Sequence, residues 1–316
     1  MATTTDIVNS SYAGESAGKY ISAALLSGNT IANGGLTIRP NVKFKEVVKR
    51  LELDGITKNG SCDFNDTSTL TLTERILEPK ELQVNLELCK KDFRSDWEAI
   101  SMGYSAFDNL PSSFQDYLIS YVAAKVAQKN EQNIWAGADG EGSFDGFSTL
   151  LAADTDLPAA QAITGTTVTA ANVVDELGKV VDAIPSALYG RDDLFIYVSQ
   201  NIFRAYKRAL GGFQANGQGA AGVGSQGNNQ DINILYFDGV KIFMANGLAA
   251  NTAVATTKDN LQFGTGLLSD HQEVKVLDMA DLDGSQNVRI IMRFTAGVQY
   301  GIVEDIVTYG IVNSAN

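Results

Sequence analysis

The sequence has very few of the residues that bind metals or form disulfides. It contains one histidine, His271, and two cysteines, Cys62 and Cys89, which lie far apart and outside any CxxC pattern. A structural zinc site needs clustered cysteines and histidines, and a disulfide framework needs a larger even set of cysteines. We therefore predict two free thiols in a reducing cytoplasm, with no metal and no cofactor.

Long apolar runs and positive charge are also missing. No stretch of about 18 consecutive apolar residues occurs, so we predict no membrane span. The first residues lack the basic region and apolar core of a signal peptide. The net charge is -13 and the predicted pI is 4.5, which argues against sequence-independent binding of nucleic acid through its phosphates.

No group of residues predicts catalysis. Residues 217–222 match GxGxxG, but the motif follows a helical pattern instead of a strand, so a flexible loop is the better interpretation. Asp281 and Asp283 resemble part of a calcium loop without its closing glutamate. His271 has no GxSxG motif beside it, and a loop histidine is favoured. The acidic pairs Asp192-Asp193 and Glu304-Asp305 are typical of a solvated surface. We predict that the protein is not an enzyme.

The longest predicted element is a helix over residues 111–135. Its apolar residues recur at helical spacing: Phe114, Tyr117, Leu118, Tyr121, Val122, Ala124 and Ile134. Ser112 or Ser113 can cap its start, and Gly137 follows its end. Such a helix is about 35 Å long and can brace a broad subunit.

Residues 39–91 alternate apolar and polar side chains, which predicts a long two-stranded projection with one apolar face. The predicted turn is Lys58-Asn59-Gly60. A lone hairpin of this length is marginally stable in water, so we expect it to pack on another copy of the chain.

Charge supports the same interpretation. Residues 39–58 carry six basic and three acidic side chains, a net +3, whereas residues 139–193 carry ten acidic and two basic side chains, a net -8. Opposite charges on two patches of one chain suit head-to-tail contacts, although a solvated strand with scattered charges is the alternative. The candidate residues for contacts between subunits are Arg39, Lys43, Lys45, Lys49, Arg50, Leu51, Leu53, Lys58, Leu70, Leu72, Leu82, Val84, Leu86 and Leu88.

Residues 166–263 alternate helices and strands, which predicts an open α/β or α+β sheet. A helix is predicted to end at Ile184, a buried strand at 194–198, a helix ending at Leu210, and a hairpin over 232–244 that turns at Asp238-Gly239. Between them, residues 211–230 form a loop without charged residues, with glycines at Gly211, Gly212, Gly217, Gly219, Gly222, Gly224 and Gly227. Further on, strands are predicted at 273–277, at 288–294 and from Val298 to about Val312.

This order of elements resembles the major capsid proteins of tailed phages, whose fold is the Hong Kong 97-type capsid fold. The segment 144–151 (FDGFSTLL) after the long helix, and the segment 194–206 (LFIYVSQNIFRAY), resemble stretches of that family. The resemblance implies an α+β chain with an N-terminal arm (1–45), an extended loop (46–93), a peripheral domain with a long spine helix (94–160 and 265–316) and an α/β axial domain (161–264). The glycine-rich loop would then lie near the capsomer axis.

The same resemblance implies a partner list. Copies of the chain would assemble into hexamers and pentamers of an icosahedral shell that encloses DNA without reading its sequence, made in the host cytoplasm and found in the virion. Scaffolding, portal and decoration proteins would be separate chains. The alternatives are an encapsulin-like cellular compartment, a tail or sheath protein, or a soluble α/β enzyme.

Overall fold

The computed structural model describes residues 28–53, 57, 59–60, 70–89, 112–210, 235–267, 274–280 and 284–313. Its helices are α1 (Asn29–Ala32), α2 (Ser112–Ala136), α3 (Phe147–Ala153), α4 (Val173–Asp182) and α5 (Gln200–Ala209). Its strands are β1 (Thr37–Arg39), β2 (Glu46–Leu53), β3 (Leu70–Leu77), β4 (Lys80–Cys89), β5 (Ala162–Ile163), β6 (Leu194–Val198), β7 (Leu235–Phe237), β8 (Val240–Met244), β9 (Ala253–Thr257), β10 (Leu261–Gly264), β11 (Lys275–Asp278), β12 (Asn287–Tyr300) and β13 (Val307–Tyr309).

The chain forms two compact units. One comprises Gly28–Lys80, Glu131–Thr265 and Ala296–Asn316, and the other includes Glu81–Asn130 and Gly266–Thr295. Residues 296–313 therefore share a unit with most of the segment 161–264, from which the sequence-based division separated them. The four-part division into arm, loop, peripheral domain and axial domain stays a prediction.

The predicted long helix is confirmed as α2, which has 25 residues. Its C-terminal end is well buried, with Ile134 and Trp135 fully inaccessible. The helix ends at a glycine for a steric reason. A side chain on Gly137 would meet the carbonyl oxygens of Phe144 and Asn133 within 2.6 Å, so only glycine allows the returning chain to pass this close.

A buried carboxylate ties α1 to α2. The backbone N–H of Thr30 donates to Oε2 of Glu131 at 3.1 Å, and the Thr30 hydroxyl donates to Oε1 at 2.5 Å. The indole N–H of Trp135 donates to the Thr30 hydroxyl at 2.8 Å. Burial raises the pKa of Glu131, while hydrogen bonds from Thr30, Gly247 and Asn246 act in the opposite direction. The start of the described chain is thereby fixed to the long helix.

The segment 162–309 contains the predicted α/β sheet. Six strands lie in the order β5-β13-β9-β6-β8-β7, with β6 and β8 parallel. Helices α4 and α5 pack on the sheet, and the apolar residues predicted for the α4 face, among them Leu177, Val180 and Val181, lie in the core cluster. The predicted turn is confirmed as well, because Asp238 and Gly239 have φ values of 47° and 80°, which suit a two-residue hairpin.

The last part of the chain confirms one strand prediction and corrects another. Strands β11 and β12 pair antiparallel, as predicted. The strand predicted from Val298 to Val312 is wrong, because β12 runs on to Tyr300 and a separate strand, β13, joins the six-stranded sheet beside β9. The side chain of Asn260 lies at the break. Its Oδ1 accepts from the backbone N–H groups of Gly301 and Ile302, and the Gly301 N–H also donates to the backbone carbonyl of Asn260.

Candidate subunit interface

The predicted projection is a shorter hairpin than the sequence indicated. Strands β2 and β3 pair antiparallel along all eight residues, from Glu46↔Leu77 to Leu53↔Leu70. After β3 the chain passes Pro79, and β4 pairs with β12 instead of extending the hairpin. Proline has no N–H to donate to a ladder, so it is a natural place for one strand to end and another to begin. The two-stranded projection predicted over residues 39–91 is therefore wrong in its length, because residues 80–89 form a separate strand outside the hairpin.

One face of the hairpin is exposed and apolar. Residues directly opposite each other share a face, and the register pairs Val47 with Ile76 and Lys49 with Glu74. Along β3, Leu72 and Leu70 lie on the same face as Ile76 and Glu74, because alternate residues of a strand share a face. The exposed fractions are 40% for Val47, 49% for Ile76, 59% for Leu72 and 57% for Leu70. We call this set the outward face: Val47, Lys49, Leu70, Leu72, Glu74 and Ile76.

The opposite face of the same hairpin packs on its own chain. Val48 and Leu77 are buried and form a small apolar cluster with Val42. The guanidinium of Arg50 pairs with Glu304 at 2.6 Å. These contacts attach this face of the hairpin to its own chain, so in the described part of β2 and β3 the outward face is the one left for another molecule.

Arg75 makes a further attachment on this face of the hairpin. It lies 2.7 Å from Oδ2 of Asp154 and places its guanidinium over the ring of Tyr300, 4.6 Å from the centroid. The Tyr300 hydroxyl donates to the same carboxylate oxygen at 2.5 Å. Burial alone would raise the pKa of Asp154, but the hydrogen bonds from Tyr300 and Asp156 and the charge of Arg75 lower it overall. The carboxylate is thus ionised at neutral pH and holds the hairpin in place.

Comparison with known proteins identifies the architecture. No protein-family model matches the chain, and no curated protein matches it. Solved structures do: the capsid of a native GTA particle aligns over 92% of this chain and 93% of its own, with a TM-score of 0.63 and 14% identity. A structure from Mycobacterium phage Adephagia aligns over 91% of both chains, with a TM-score of 0.58 and 16% identity. The capsid of cyanophage P-SCSP1u covers 94% of this chain and 92% of its own, with a TM-score of 0.52 and 13% identity.

The chain has a phage capsid fold. This confirms the predicted α+β class and the resemblance noted from the order of elements. Identities of 13–16% to these three structures show shared architecture only, so the role of this chain must be argued from its own residues.

Within this capsid fold, the predicted contact residues fall into three groups. Several basic residues are engaged inside the chain: Arg39 pairs with Glu46 at 2.5 Å, Lys45 with Glu78 at 2.9 Å, and Arg50 with Glu304. Lys43 and Lys49 are exposed and pair with no acid in the part of the chain that the structure describes. Of the predicted basic contact residues with described side chains, these two are the ones left for an external partner.

The leucines form the second group. Leu70 and Leu72 lie on the outward face, as predicted, and the register places Leu51 and Leu53 opposite them. A further four residues are half-buried along β4, where they contribute to the sheet with β12 and not to the projection: Leu82, Val84, Leu86 and Leu88.

The third group is Lys58, which lies outside the described residues. The seven glycines of the loop at 211–230, the GxGxxG stretch and His271 lie outside them as well. Their proposed roles stay predictions. In the ranges that the structure describes, no cluster of metal-binding side chains occurs, and no helix is both long and apolar enough to cross a bilayer.

Sequence reasoning missed four residues of this interface. Val47, Glu74 and Ile76 belong to the outward face, and Arg75 anchors the other face. Alternation alone cannot assign Val47 to a face of the hairpin, because Val48 follows it and one of these two apolar residues must lie on the buried face. The register with β3 resolves the ambiguity, since Val47 pairs with the exposed Ile76 and Val48 with Arg75.

Proposed function

We propose that this chain is the major capsid protein of a tailed double-stranded DNA phage. Copies assemble into hexamers and pentamers of an icosahedral shell in the host cytoplasm and remain in the virion as its capsid. The function is structural and involves no catalysis and no cofactor. Scaffolding, portal and decoration proteins are separate partners.

The single observation that carries this proposal is the two-sided hairpin. One face is fixed to its own chain through Arg75, Asp154 and Tyr300, while the outward face presents four large apolar side chains to solvent. Large apolar side chains clustered on one exposed face, rimmed or interrupted by polar residues, mark an interaction site. A second copy of the chain is the partner that a shell supplies at every position.

Acidity supports the role of a container for DNA. The net charge of -13 disfavours binding of the shell to the DNA phosphates, so the genome can be packed and later released. The similar solved structures are phage or GTA particles, which favours this type of shell over a cellular protein compartment.

The test is assembly of the purified chain, followed by sedimentation and negative-stain microscopy. We expect closed shells from the wild type and a loss of shells from Leu72→Asn, because full burial of a leucine contributes about 1.5–3 kcal/mol and the loss repeats at every contact. Leu267→Asn is the matched control, since Leu267 is as exposed as Leu70 (57% each) but lies outside the hairpin.

Two results would contradict the proposal. One is a wild-type chain that stays monomeric under all assembly conditions. The other is a Leu72→Asn chain that forms shells as readily as the wild type and the Leu267→Asn control.

A further inference from the structure

Two opposite charges lie in the middle of the outward face. Lys49 and Glu74 are directly opposite each other in the register of β2 and β3, and both are exposed. They have apolar pairs on both sides along the strands, Val47 with Ile76 and Leu51 with Leu72. Among the described residues, neither side chain forms an ion pair, although opposite charges at directly facing positions are close enough to attract.

Covering the apolar residues of this face must also remove water from the two charges. A buried charge without a partner is strongly unfavourable, so the covering surface has to supply opposite charges, or the two residues have to pair with each other. In the first case the surface is polarised, because it must offer an acid at one point and a base at the other. In the second case the polarity of the pair has no influence on docking.

We infer that Lys49 and Glu74 fix the direction and register in which the hairpin docks on a second copy of this chain. The neighbouring copy offers an acidic side chain to Lys49 and a basic one to Glu74. This inference rests on the proposed function and adds to it the two residues that decide how the copies align. Lys49 and Glu74 are specificity-determining residues, while the apolar residues supply the affinity.

A second copy fits this surface better than other occupants. Within residues 139–193, the acids Glu141, Asp156 and Asp192 are exposed and form no ion pair among the described residues, so the chain itself offers acids for Lys49. A nucleic acid would meet Glu74 and four apolar side chains, which is unfavourable for a phosphate backbone. Self-docking also explains why the apolar face can remain uncovered in a single chain.

The experiment compares three charge variants of the full chain in the shell-assembly assay: Lys49→Glu, Glu74→Lys and the double variant that exchanges the two. Each single variant places two like charges opposite each other, and one of the two residues then faces a like charge on the neighbouring copy. The exchange restores the attraction between the two residues, but both of them then face a like charge on the neighbouring copy. We expect all three to raise the concentration needed for assembly at least about tenfold, with the exchange no better than the single variants.

Lys129→Glu is the matched control, because Lys129 is also exposed and pairs with no acid among the described residues, but lies on α2 and outside the outward face. We expect it to assemble as the wild type does, which excludes an effect of net charge alone. Thermal unfolding of each unassembled variant checks that the chain still folds.

Two outcomes would overturn the inference. If the exchange restores assembly, Lys49 and Glu74 pair with each other and do not pair with charged residues of the neighbouring copy. If the single variants assemble like the wild type while Leu72→Asn does not, the proposed shell function stands and only this inference fails. If Leu72→Asn also assembles normally, the proposed function itself is contradicted.

Discussion

Glu131 is a carboxylate held in an almost fully buried position by neutral donors. Thr30 supplies two hydrogen bonds, and the backbone at Asn246 and Gly247 supplies others. Because burial is the dominant influence, the pKa of Glu131 is higher in the folded chain than the ordinary value of 4.5. The folded state therefore binds this proton more tightly than the unfolded state does.

The sign of the resulting pH dependence follows directly. A raised pKa in the folded state gives stability that is fully present below pH 4.5 and is lost as the pH rises through the folded pKa. We expect the free energy of unfolding of the wild type, relative to that of Glu131→Gln, to fall as the pH is raised from about 4 to about 8. Urea unfolding of both chains measures this difference, and a difference that does not change with pH would contradict the assignment.

Asp154 provides a control, because its pKa is shifted in the opposite direction to that of Glu131. Its pKa is lowered in the folded chain, so its contribution is present above the ordinary value of 3.8 and is lost as the pH falls through the lower folded pKa. The wild type should therefore lose stability relative to Asp154→Asn only below about pH 3.8. Two buried carboxyls in one compact unit would then respond to pH in opposite directions.

At the scale of elements, the loop after β8 approaches α2 as closely as backbone atoms allow. A side chain on Gly247 would meet the carbonyl oxygen of Glu131 at 2.0 Å, which neither backbone segment can accommodate without moving. We expect Gly247→Ala to lower the free energy of unfolding by about 2 kcal/mol or more. Denaturant unfolding of the purified chain measures it.

Gly178 is the matched control for this substitution. It lies within α4, has no atom within 4 Å of an added Cβ, and adopts ordinary helical backbone angles. Gly178→Ala should stabilise the chain by about 0.5–1 kcal/mol, because alanine loses less backbone entropy in a helix. Equal effects of the two substitutions would show that the loop contact with α2 is not tight.

Much of this element order could be predicted from periodicity. The 3.6-residue spacing predicted α2 and α4, and alternation predicted β2 and β12. Alternation could not show that β4 leaves the hairpin. Leu70 and Leu72 before Pro79 alternate with polar residues in the same way as Leu82 and Val84 after it, whichever strand they pair with. The partner strand, and not the local residue pattern, decides whether a strand belongs to the hairpin.

The candidate interface was predictable only in part, for a related reason. Leu70 and Leu72 are apolar and alternate, so the sequence alone identified them. The engagement of Arg50 with Glu304 and of Arg75 with Asp154 joins residues far apart in the chain. The net charge of a segment does not distinguish a basic residue that forms an ion pair within its own chain from one that is available to another chain.

For the whole molecule, composition predicts that the proposed shell assembles through protein contacts without nucleic acid. With 37 acidic and 24 basic residues, the chain has no surplus of positive charge with which to condense on nucleic acid. We expect the yield of shells to be unchanged when nuclease is present throughout assembly. Shells that form only with DNA or RNA, or that keep nucleic acid after nuclease treatment of the purified chain, would contradict this.

The attachment of Arg75 beneath the hairpin has a consequence for the growth of a shell. A free ribbon would have to become ordered each time a subunit joined, and that loss of conformational freedom would oppose every addition. Because Arg75 attaches β3 to Asp154 and Tyr300 of its own chain, incoming subunits of the proposed shell would meet a surface that already has its final shape. Each addition to the proposed shell would then face a smaller entropic barrier and would proceed at lower concentrations of free protein.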